Sequence, residues 1–247
     1  MNELTNILLL AFVGSVAGLI GGVLFLINKK WASLLCKYAV PLAAGVLLSV
    51  SLLHLFPESV EIMGASAFVW VTGSFLASFL FEFFFAHLHH HDGDAHHGHG
   101  GAAAPLVIFG DTIHNFIDGV AIASAYLVAP TLGVVVALST FLHETPHEIA
   151  DFGVLISKGW SKKNTFLANM FSAFATFPGA LYVYFFAKGE ESVAPLLAIS
   201  AGIFLYLGAS DFLPELHHGE DRRSSIKKLV FLIAGVITMY ALTKVSS

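Results

Sequence analysis

Residues 142–151 read Leu-His-Glu-Thr-Pro-His-Glu-Ile-Ala-Asp and decide the fold, because this stretch places ionisable residues within a long apolar run. Its ionisable residues are His143, Glu144, His147, Glu148 and Asp151. Ionisable groups inside a bilayer are costly, so they usually face a partner, a water-filled cavity or an ion. The apolar flanks therefore predict a membrane helix, and the polar residues predict a functional site inside it.

A second polar stretch, residues 111–118, reads Asp-Thr-Ile-His-Asn-Phe-Ile-Asp and has the same spacing of potential ligands. On a helix with about 100° per residue, the fifth position of such a set lies about 40° from the first, between the first and the second. The fifth residue could therefore share a metal ion with either of the other two, or bridge two ions. The two sets are His114, Asn115 and Asp118, and His143, Glu144 and His147.

Two helices that face each other with these sets would form a site for two metal ions. Imidazole, carboxylate and amide ligands without a thiolate suit zinc and other divalent first-row ions. The remaining acidic residues of the two stretches either add to the site or orient the ligating imidazoles. These residues are Asp111, Glu148 and Asp151.

The composition indicates a polytopic membrane protein. The chain has 247 residues, of which 56% are hydrophobic and 12% charged, and its mean hydropathy is +0.78. About 20 apolar residues span a bilayer as a helix. We therefore predict a single all-α transmembrane domain over residues 1–247, with eight transmembrane helices near 5–27, 34–56, 64–86, 105–128, 131–156, 165–187, 192–213 and 226–244.

The basic residues predict the orientation, since Lys and Arg favour cytoplasmic loops. Ten of the 12 lie in or beside the loops after spans 1, 5 and 7, and only Lys188 and Lys244 fall on the other side. Both termini are then expected on the non-cytoplasmic side of a plasma or inner membrane. The residues before span 1 include Glu3 and no basic residue, so we do not expect span 1 to be a signal peptide.

A short motif recurs near the ends of spans 2 and 7. Residues 54–58 read His-Leu-Phe-Pro-Glu, and residues 211–215 read Asp-Phe-Leu-Pro-Glu. The recurrence predicts that spans 1–3 and 6–8 are inverted repeats around spans 4 and 5, which is an arrangement typical of transporters. The pattern leaves open whether Glu58 and Glu215 serve as entrance and exit stations or whether the prolines of the motifs merely mark helix ends.

Three further features concern the loops and the helix interiors. Residues 87–99 contain seven His, and we predict that residues 87–104 form a cytoplasmic loop that buffers or senses metal, although a plain spacer is the alternative. Pro146 is expected to distort span 5. Asn169, in span 6, has the residue type that more often joins membrane helices than binds metal.

The two polar stretches carry a family resemblance. His-Asn-Phe-Ile-Asp-Gly at 114–119, followed by His-Glu-Thr-Pro-His-Glu at 143–148, closely resembles the ZIP family of divalent metal transporters, in particular the subfamily with His-Glu-x-Pro-His-Glu in the fifth span. The resemblance implies a 3+2+3 arrangement of spans and flow of zinc into the cytosol through a binuclear centre between spans 4 and 5. Cadmium, ferrous iron and manganese are further candidate cargoes, and a homodimer is a candidate assembly.

The resemblance also implies a ligand set on this sequence. Asp118 and His147 would bridge the two ions. One ion would be held by these two together with His114 and His143, with His54 reaching in from span 2. The other would be held by the bridging pair with Asn115 and Glu144, and Asn169 falls where the family can supply a ligand from span 6. The expected partners are divalent metal ions and the lipid bilayer, with no nucleic acid.

Two alternatives use the same residues differently. His143, Glu144 and His147 satisfy the zincin pattern His-Glu-x-x-His, which would make the chain an intramembrane zinc metalloprotease. Against it, no later Asp motif resembles a third protease ligand, Pro146 should distort the helix, and the cluster at 114–118 would be unused. An exporter of the cation diffusion facilitator type would have six spans and a cytoplasmic C-terminal domain. We therefore expect a transporter and not an enzyme.

Overall fold

The computed structural model describes residues 2–90, 103–217 and 222–246 of the chain. Within this part, eight long helical segments follow one another. Each predicted span lies on one of them, and all but the second agree with the segment to within about four residues at each end. The segments are α1 (Glu3–Ile27), α2 (Lys29–Met63), α3 (Ser66–His90), α4 (Ala103–Val128), α5 (Pro130–Ser157), α6 (Lys162–Phe186), α7 (Glu190–Phe212) and α8 (Arg222–Ser246).

Six of these segments, all except α4 and α5, are long and apolar enough to cross a membrane. Helices α4 and α5 have 26 and 28 residues, which exceeds the roughly 20 residues that a spanning helix needs. The two polar stretches fall in these two helices and make them less apolar. The number of eight transmembrane spans therefore stays a prediction, because α4 and α5 are long enough to cross a membrane but are not apolar enough to be identified as spans.

Four segments depart locally from regular α-helix. In α1 a 3₁₀ turn (Val16–Leu19) separates Glu3–Gly14 from Ile20–Ile27, and in α6 a two-residue turn separates Lys162–Ala173 from Thr176–Phe186. Helices α2 and α7 each contain a π-helical turn, Ser51–Leu55 and Leu207–Phe212. Such turns are frequent at functional sites, and these two contain the first residues of the recurring motif, His54 and Asp211.

Helix α2 is longer than its predicted span because Pro57 does not end it. The proline lies in the first turn of Phe56–Met63, directly after the π-helical turn. A proline is tolerated in a first turn, where its missing N–H would have no helical partner.

The helices pack in pairs around α4 and α5, which contact each other. Helix α5 packs against α1 and α2, while α4 packs against α6 and α7. In the outer part, α2 contacts α8, and α7 contacts α3. The contacts correspond in pairs if α1 is matched with α6, α2 with α7, α3 with α8 and α4 with α5. The contact of α5 with α1, for example, then corresponds to that of α4 with α6, and the contact of α2 with α8 corresponds to that of α7 with α3. The packing therefore has the pattern that two related halves would produce.

Glycines allow the central helices to approach their neighbours closely. A Cβ atom at Gly119 of α4 would lie 2.0 Å from the carbonyl oxygen of Thr176 in α6. At the related contact, a Cβ atom at Gly21 of α1 would lie 2.1 Å from the carbonyl oxygen of Thr145 in α5. Small residues of this kind let membrane helices pack backbone to backbone. These contacts hold α4 close to α6 and α5 close to α1.

The predicted His-rich loop is shorter than expected at both ends. Helix α3 continues to His90, so the first residues of the predicted loop are helical, and α4 begins at Ala103. Residues 91–102, which hold most of the tract, lie outside the described residues. Its proposed role in metal buffering or sensing therefore stays a prediction.

Candidate metal centre

Four predicted ligands converge between α4 and α5. The Nε2 atom of His114 lies 2.9 Å from Glu144 Oε1 and 3.7 Å from Asp118 Oδ2. The Nε2 atom of His143 lies 3.4 Å from Asp118 Oδ2 and 3.1 Å from His114 Nε2. One ligand atom from each of the four residues falls within 4.8 Å of the others. We call His114, Asp118, His143 and Glu144 the central cluster.

The spacing of the central cluster suits a single divalent cation. Two ligands on one tetrahedral zinc ion, with bonds of about 2.0–2.2 Å, lie roughly 3.4 Å apart. The distances between imidazole nitrogens and carboxylate oxygens in the cluster scatter around that value. The same set of two imidazoles and two carboxylates is of the type that zinc binds in proteins.

The ligands of the central cluster are buried with little compensation for their charge. Asp118, His143 and Glu144 are completely buried. In the described part of the chain, the carboxylate oxygens of Asp118 and Glu144 make no hydrogen bond of good geometry, although imidazole nitrogens lie close to them. Uncompensated buried carboxylates cost several kcal/mol each. A bound divalent cation would offset that cost.

The backbone and α7 orient His143. Its Nδ1 atom lies 2.9 Å from the carbonyl oxygen of Ser139, one turn earlier in α5. An Nδ1–H donated to this carbonyl leaves the lone pair of Nε2 directed at the cluster, which is a common way to fix a metal-binding imidazole. Phe204 of α7 packs against the His143 ring with centroids 5.6 Å apart. His143 is thus held ready for a metal by groups outside the cluster.

A second group of potential ligands lies beside the central cluster and contains Asp111, His147 and Asp151. One ligand atom from each lies within 4.8 Å of the others, and His147 Nδ1 is 3.6 Å from Asp111 Oδ1. The sequence predicts His147 as a bridging ligand of the two ions, whereas the structure brings it together with the two Asp residues. Its ring still neighbours that of His114, with centroids 5.4 Å apart.

Asn115, the predicted ligand next to His114, uses its side chain in hydrogen bonds to protein groups, one of which is Asp111 of the second group. Its Nδ2 donates to the carbonyl oxygen of Asp111 at 3.1 Å and to Asp111 Oδ1 at 3.0 Å. Its Oδ1 accepts hydrogen bonds from the hydroxyls of Ser15 in α1 and Thr176 in α6. The Nδ2 of this amide therefore bonds within α4, and its Oδ1 joins α4 to α1 and α6.

His54, the predicted ligand from α2, is not among the His, Asp and Glu side chains that converge in the two groups, and Asn169, the predicted ligand from α6, has its Oδ1 buried without a hydrogen-bond partner in the described part of the chain. His54 Nε2 is 3.1 Å from the carbonyl oxygen of Met239 in α8. Asn169 is buried in α6, where its Nδ2 donates to the carbonyl oxygen of Thr165 at 2.7 Å. Metal binding by Asn115, His54 and Asn169 stays a prediction.

Pro146 does not end α5. The helix is α-helical from Pro130 to Ser157, with Pro146 buried inside it. The loss of one N–H donor does not end the helix, because the surrounding backbone bonds continue on both sides. The candidate ligands of α5 therefore lie on one continuous helix, and a bend at Pro146 stays a prediction.

A cavity of about 1010 Å³ leads to both groups of ligands. Helices α3, α4, α5 and α7 line it, and its wall includes His114 from the central cluster as well as Asp111, His147 and Asp151. Glu82 of α3 and Asp211 of α7 add further carboxylates, and the hydroxyl of Tyr206 donates to Glu82. Sequence reasoning missed Glu82, although a lone carboxylate inside a predicted span is a signal of function.

The sequence of this chain also matches a known protein family. A sequence profile described as "ZIP Zinc transporter" matches residues 99–243, which is more than half of the chain. The chain belongs to the ZIP zinc transporter family. The matched region includes both α4 and α5, so the central cluster lies within the part of the chain that carries the family likeness.

Relatives in the ZIP family are similar over about half of this chain. Zinc transporter ZIP4 of Mus musculus is 37% identical over 131 residues, which are 53% of this chain and 19% of that protein. Zinc transporter ZIP10 of Danio rerio is 35% identical over 141 residues, or 56% of this chain and 17% of that protein. Zinc transporter zipt-7.2 of Caenorhabditis elegans is 32% identical over 142 residues, or 56% and 31%.

The matched regions span less than a third of the length of each of these relatives. The ZIP family and these proteins carry the names of transporters and not of enzymes, as the sequence predicted. The comparisons give no support to the metalloprotease alternative.

Proposed function

We propose that this ZIP family member carries Zn²⁺ across a membrane into the cytosol, and that the ion passes between α4 and α5. One observation carries the proposal. Four ligand atoms from two facing helices lie within 4.8 Å of one another. Three of these residues are fully buried, and the fourth, His114, lines a large cavity. A buried binding site with a connected cavity is what a transporter needs to hold an ion and then release it.

Charge balance supports a divalent cargo. The central cluster contributes two carboxylates, Asp118 and Glu144, and two imidazoles that bind metal in their neutral form. A divalent cation makes the loaded cluster electrically neutral, which reduces the cost of placing charge in a medium of low dielectric constant. A monovalent ion would leave one buried negative charge uncompensated.

The ligand types favour zinc among the divalent ions. Imidazole suits zinc, whereas carboxylates and water suit harder ions such as manganese. We propose zinc as the main cargo, with cadmium, ferrous iron and manganese as competing ions. We further propose that a second ion binds beside the first when Asp118 and His147 bridge, which would require His147 to turn toward the central cluster.

The architecture proposed for the membrane has eight spans in a 3+2+3 arrangement with inverted repeats. The paired contacts of α1–α3 and α6–α8 around α4 and α5 support this proposal. The distribution of Lys and Arg supports termini on the non-cytoplasmic side of a plasma or inner membrane. The motif at 143–148 supports the subfamily with His-Glu-x-Pro-His-Glu in the fifth span, and a homodimer is proposed by resemblance alone.

The metalloprotease alternative is disfavoured by the position of Glu144. In that mechanism the Glu carboxylate acts as a general base and is not a metal ligand. Here Glu144 Oε1 lies 2.9 Å from His114 Nε2, within the set of candidate ligands. His147, which would be the second zinc ligand of a protease, lies with Asp111 and Asp151 instead.

Zinc uptake into liposomes tests the proposed function. The full chain, purified and reconstituted, should take up ⁶⁵Zn²⁺ at a rate that saturates with zinc concentration. Unlabelled Cd²⁺ should compete strongly and Mn²⁺ weakly. Protein-free liposomes measured in parallel give the leak rate. Uptake that does not exceed this leak at any zinc concentration would contradict the proposal.

A further inference from the structure

We propose that Asp111, His147 and Asp151 form a separate station for a divalent cation, which receives zinc from the central cluster and releases it into the cavity. This inference rests on the proposed transport function and adds a step to it. We call the three residues the release group. The station is distinct from the central cluster, with which it shares no residue in this structure.

The positions on the helices explain why these side chains meet. His147 and Asp151 are four residues apart and lie on one face of α5. Asp111 lies on α4, one turn before His114, and α4 packs against α5 along this length. The release group therefore lies one helical turn away from the central cluster along both helices.

One buried polar atom of each residue in the release group lacks a hydrogen-bond partner in the described part of the chain, although Asp111 Oδ1 accepts from Asn115. Asp111 is 3% exposed and Asp151 is 8% exposed. In the described part of the chain, Asp111 Oδ2, Asp151 Oδ2 and His147 Nδ1 make no hydrogen bond. Buried polar groups in native proteins are nearly always satisfied, so each exception requires an explanation such as an ion.

A neighbouring carboxylate strengthens this requirement. Glu148 is 1% exposed, and neither of its carboxylate oxygens has a hydrogen-bond partner in the described part of the chain. It interacts electrostatically with Asp111 and Asp151. Three carboxylates buried together without a cation would repel one another, and a divalent ion among them would remove that repulsion.

The distance between His147 and Asp111 also suits a shared ion. His147 Nδ1 and Asp111 Oδ1 are 3.6 Å apart, which is too long for a hydrogen bond. It is close to the roughly 3.4 Å that separates two ligands on one zinc ion. The pair is thus placed as two ligands of a metal and not as a hydrogen-bonded pair.

The location of His147 gives the station its place in the transport sequence. Its ring neighbours that of His114 in the central cluster, and its side chain is 33% exposed on the cavity wall. Asp111 and Asp151 line the same cavity. An ion that leaves the central cluster past His114 therefore has the release group beside it on the wall of the same cavity.

The chemistry of the release group favours release over retention. Two carboxylates and one imidazole provide three protein ligands, and water from the cavity can complete the coordination. Fewer imidazoles than in the central cluster make the set harder and less suited to zinc. An open, water-completed site also exchanges its ion more easily than a closed one with four protein ligands.

Anomalous diffraction from crystals of the full chain soaked in Cd²⁺ tests the station directly. Wild-type protein should show two peaks, one in the central cluster and one among Asp111, His147 and Asp151. Asp151→Asn, which keeps the shape of the side chain and removes its charge, should lose the second peak and keep the first. Glu82→Gln, on the same cavity wall but outside the release group, should keep both.

The outcomes separate this inference from the proposed function. A wild-type peak in the central cluster with none in the release group would overturn the station and leave the transport site standing. A second peak that persists undiminished in Asp151→Asn and in Asp111→Asn would overturn it as well. No peak at either place would overturn both proposals.

Transport kinetics give a second, independent readout. In liposomes, Asp151→Asn should lower the maximum rate of zinc uptake roughly 10–100-fold, the range seen when groups around a metal site are altered. The zinc concentration at half-maximal rate should stay within about twofold of wild type, because the central cluster is intact. Wild-type kinetics, or a raised half-saturating concentration at an unchanged maximum rate, would overturn the release role.

Discussion

At the scale of single residues, neighbouring polar side chains have different roles: some point into the candidate metal site, and others join the helices around it. Asn115 and His114 are neighbours in sequence, but only His114 points into the central cluster. Asn115 uses its amide nitrogen to bond Asp111 within α4 and its amide oxygen to join α4 to Ser15 of α1 and Thr176 of α6. A pattern of ligand types along one helix cannot distinguish these two uses, because the deciding hydroxyls come from other helices.

This assignment predicts that Asn115→Ala weakens the fold more than it weakens zinc binding. The substitution removes the acceptor that the hydroxyls of Ser15 and Thr176 share, so that they keep only the carbonyl oxygen of Ala173. It also removes the donor to the buried Asp111 Oδ1, and an unsatisfied buried group costs about 1–3 kcal/mol. Thermal unfolding in detergent should occur at a clearly lower temperature, while the affinity for zinc stays within about threefold of wild type. Ser15→Ala, which removes one donor and leaves the acceptor bonded to Thr176, should be milder.

An Asn115→Ala protein that unfolds at the wild-type temperature but binds zinc tenfold or more weakly, about 1.4 kcal/mol, would contradict this account. Such a result would return Asn115 to the metal site, where the resemblance to the family places it.

Metal choice is also a property of one residue, His143. We predict that His143→Glu keeps the transporter active but lowers the ratio of zinc to manganese uptake, because a carboxylate replaces an imidazole and suits the harder ion. The measurement is uptake from a mixture of zinc and manganese at equal concentration, in wild type and variant. An unchanged ratio in an active variant would show that selectivity is set elsewhere, with His54 as the next candidate.

At the scale of helices, close packing at glycines positions the metal ligands. Gly119 follows Asp118 directly and allows α4 to lie against the backbone of α6. The position of Asp118 therefore depends on a contact outside the metal site. The sequence predicted the helices from their apolar runs and the two polar stretches on α4 and α5, but the π-helical turns leave no comparable sequence signal.

We predict that Gly119→Ala displaces α4 and impairs transport. The added Cβ would lie 2.0 Å from the carbonyl oxygen of Thr176, a backbone atom that cannot move without shifting α6. Thermal stability in detergent should fall by about 1–3 kcal/mol, which is typical of overpacking, and zinc uptake should fall with it. Gly110→Ala on the same helix is the matched control, since a Cβ there meets nothing within 4 Å.

Equal unfolding temperatures and equal rates of uptake for Gly119→Ala and Gly110→Ala would contradict this prediction. The backbone contact between α4 and α6 would then have no influence on the metal site.

At the scale of the whole molecule, the related contacts of the two halves enclose a polar centre that the sequence already marked. The motifs at 54–58 and 211–215 predicted related halves, and the matching contacts of α2 with α8 and of α7 with α3 follow that pattern. The cavity between α3, α4, α5 and α7 could not be predicted from the sequence, because its walls come from four helices that are distant in the chain. The proximity of Asp111 to His147 and Asp151 could not be predicted either, because it depends on how α4 packs against α5.

The central claim is that zinc passes through the cluster of His114, Asp118, His143 and Glu144, and one comparison tests it most directly. The measurement is the initial rate of ⁶⁵Zn²⁺ uptake by liposomes that contain equal amounts of wild-type or Asp118→Ala protein. Glu191→Gln, at the exposed start of α7, controls for the loss of one carboxylate and should match wild type. Equal elution on size-exclusion chromatography should show that all three proteins are folded.

Asp118 is completely buried, and its oxygen lies 3.4 Å from His143 Nε2 at the contact between α4 and α5. Its removal takes away a ligand and half of the negative charge that balances the ion. We therefore predict that Asp118→Ala takes up zinc no faster than protein-free liposomes, while Glu191→Gln transports at the wild-type rate. Uptake by folded Asp118→Ala at the wild-type rate would contradict the claim that zinc crosses the membrane through this cluster.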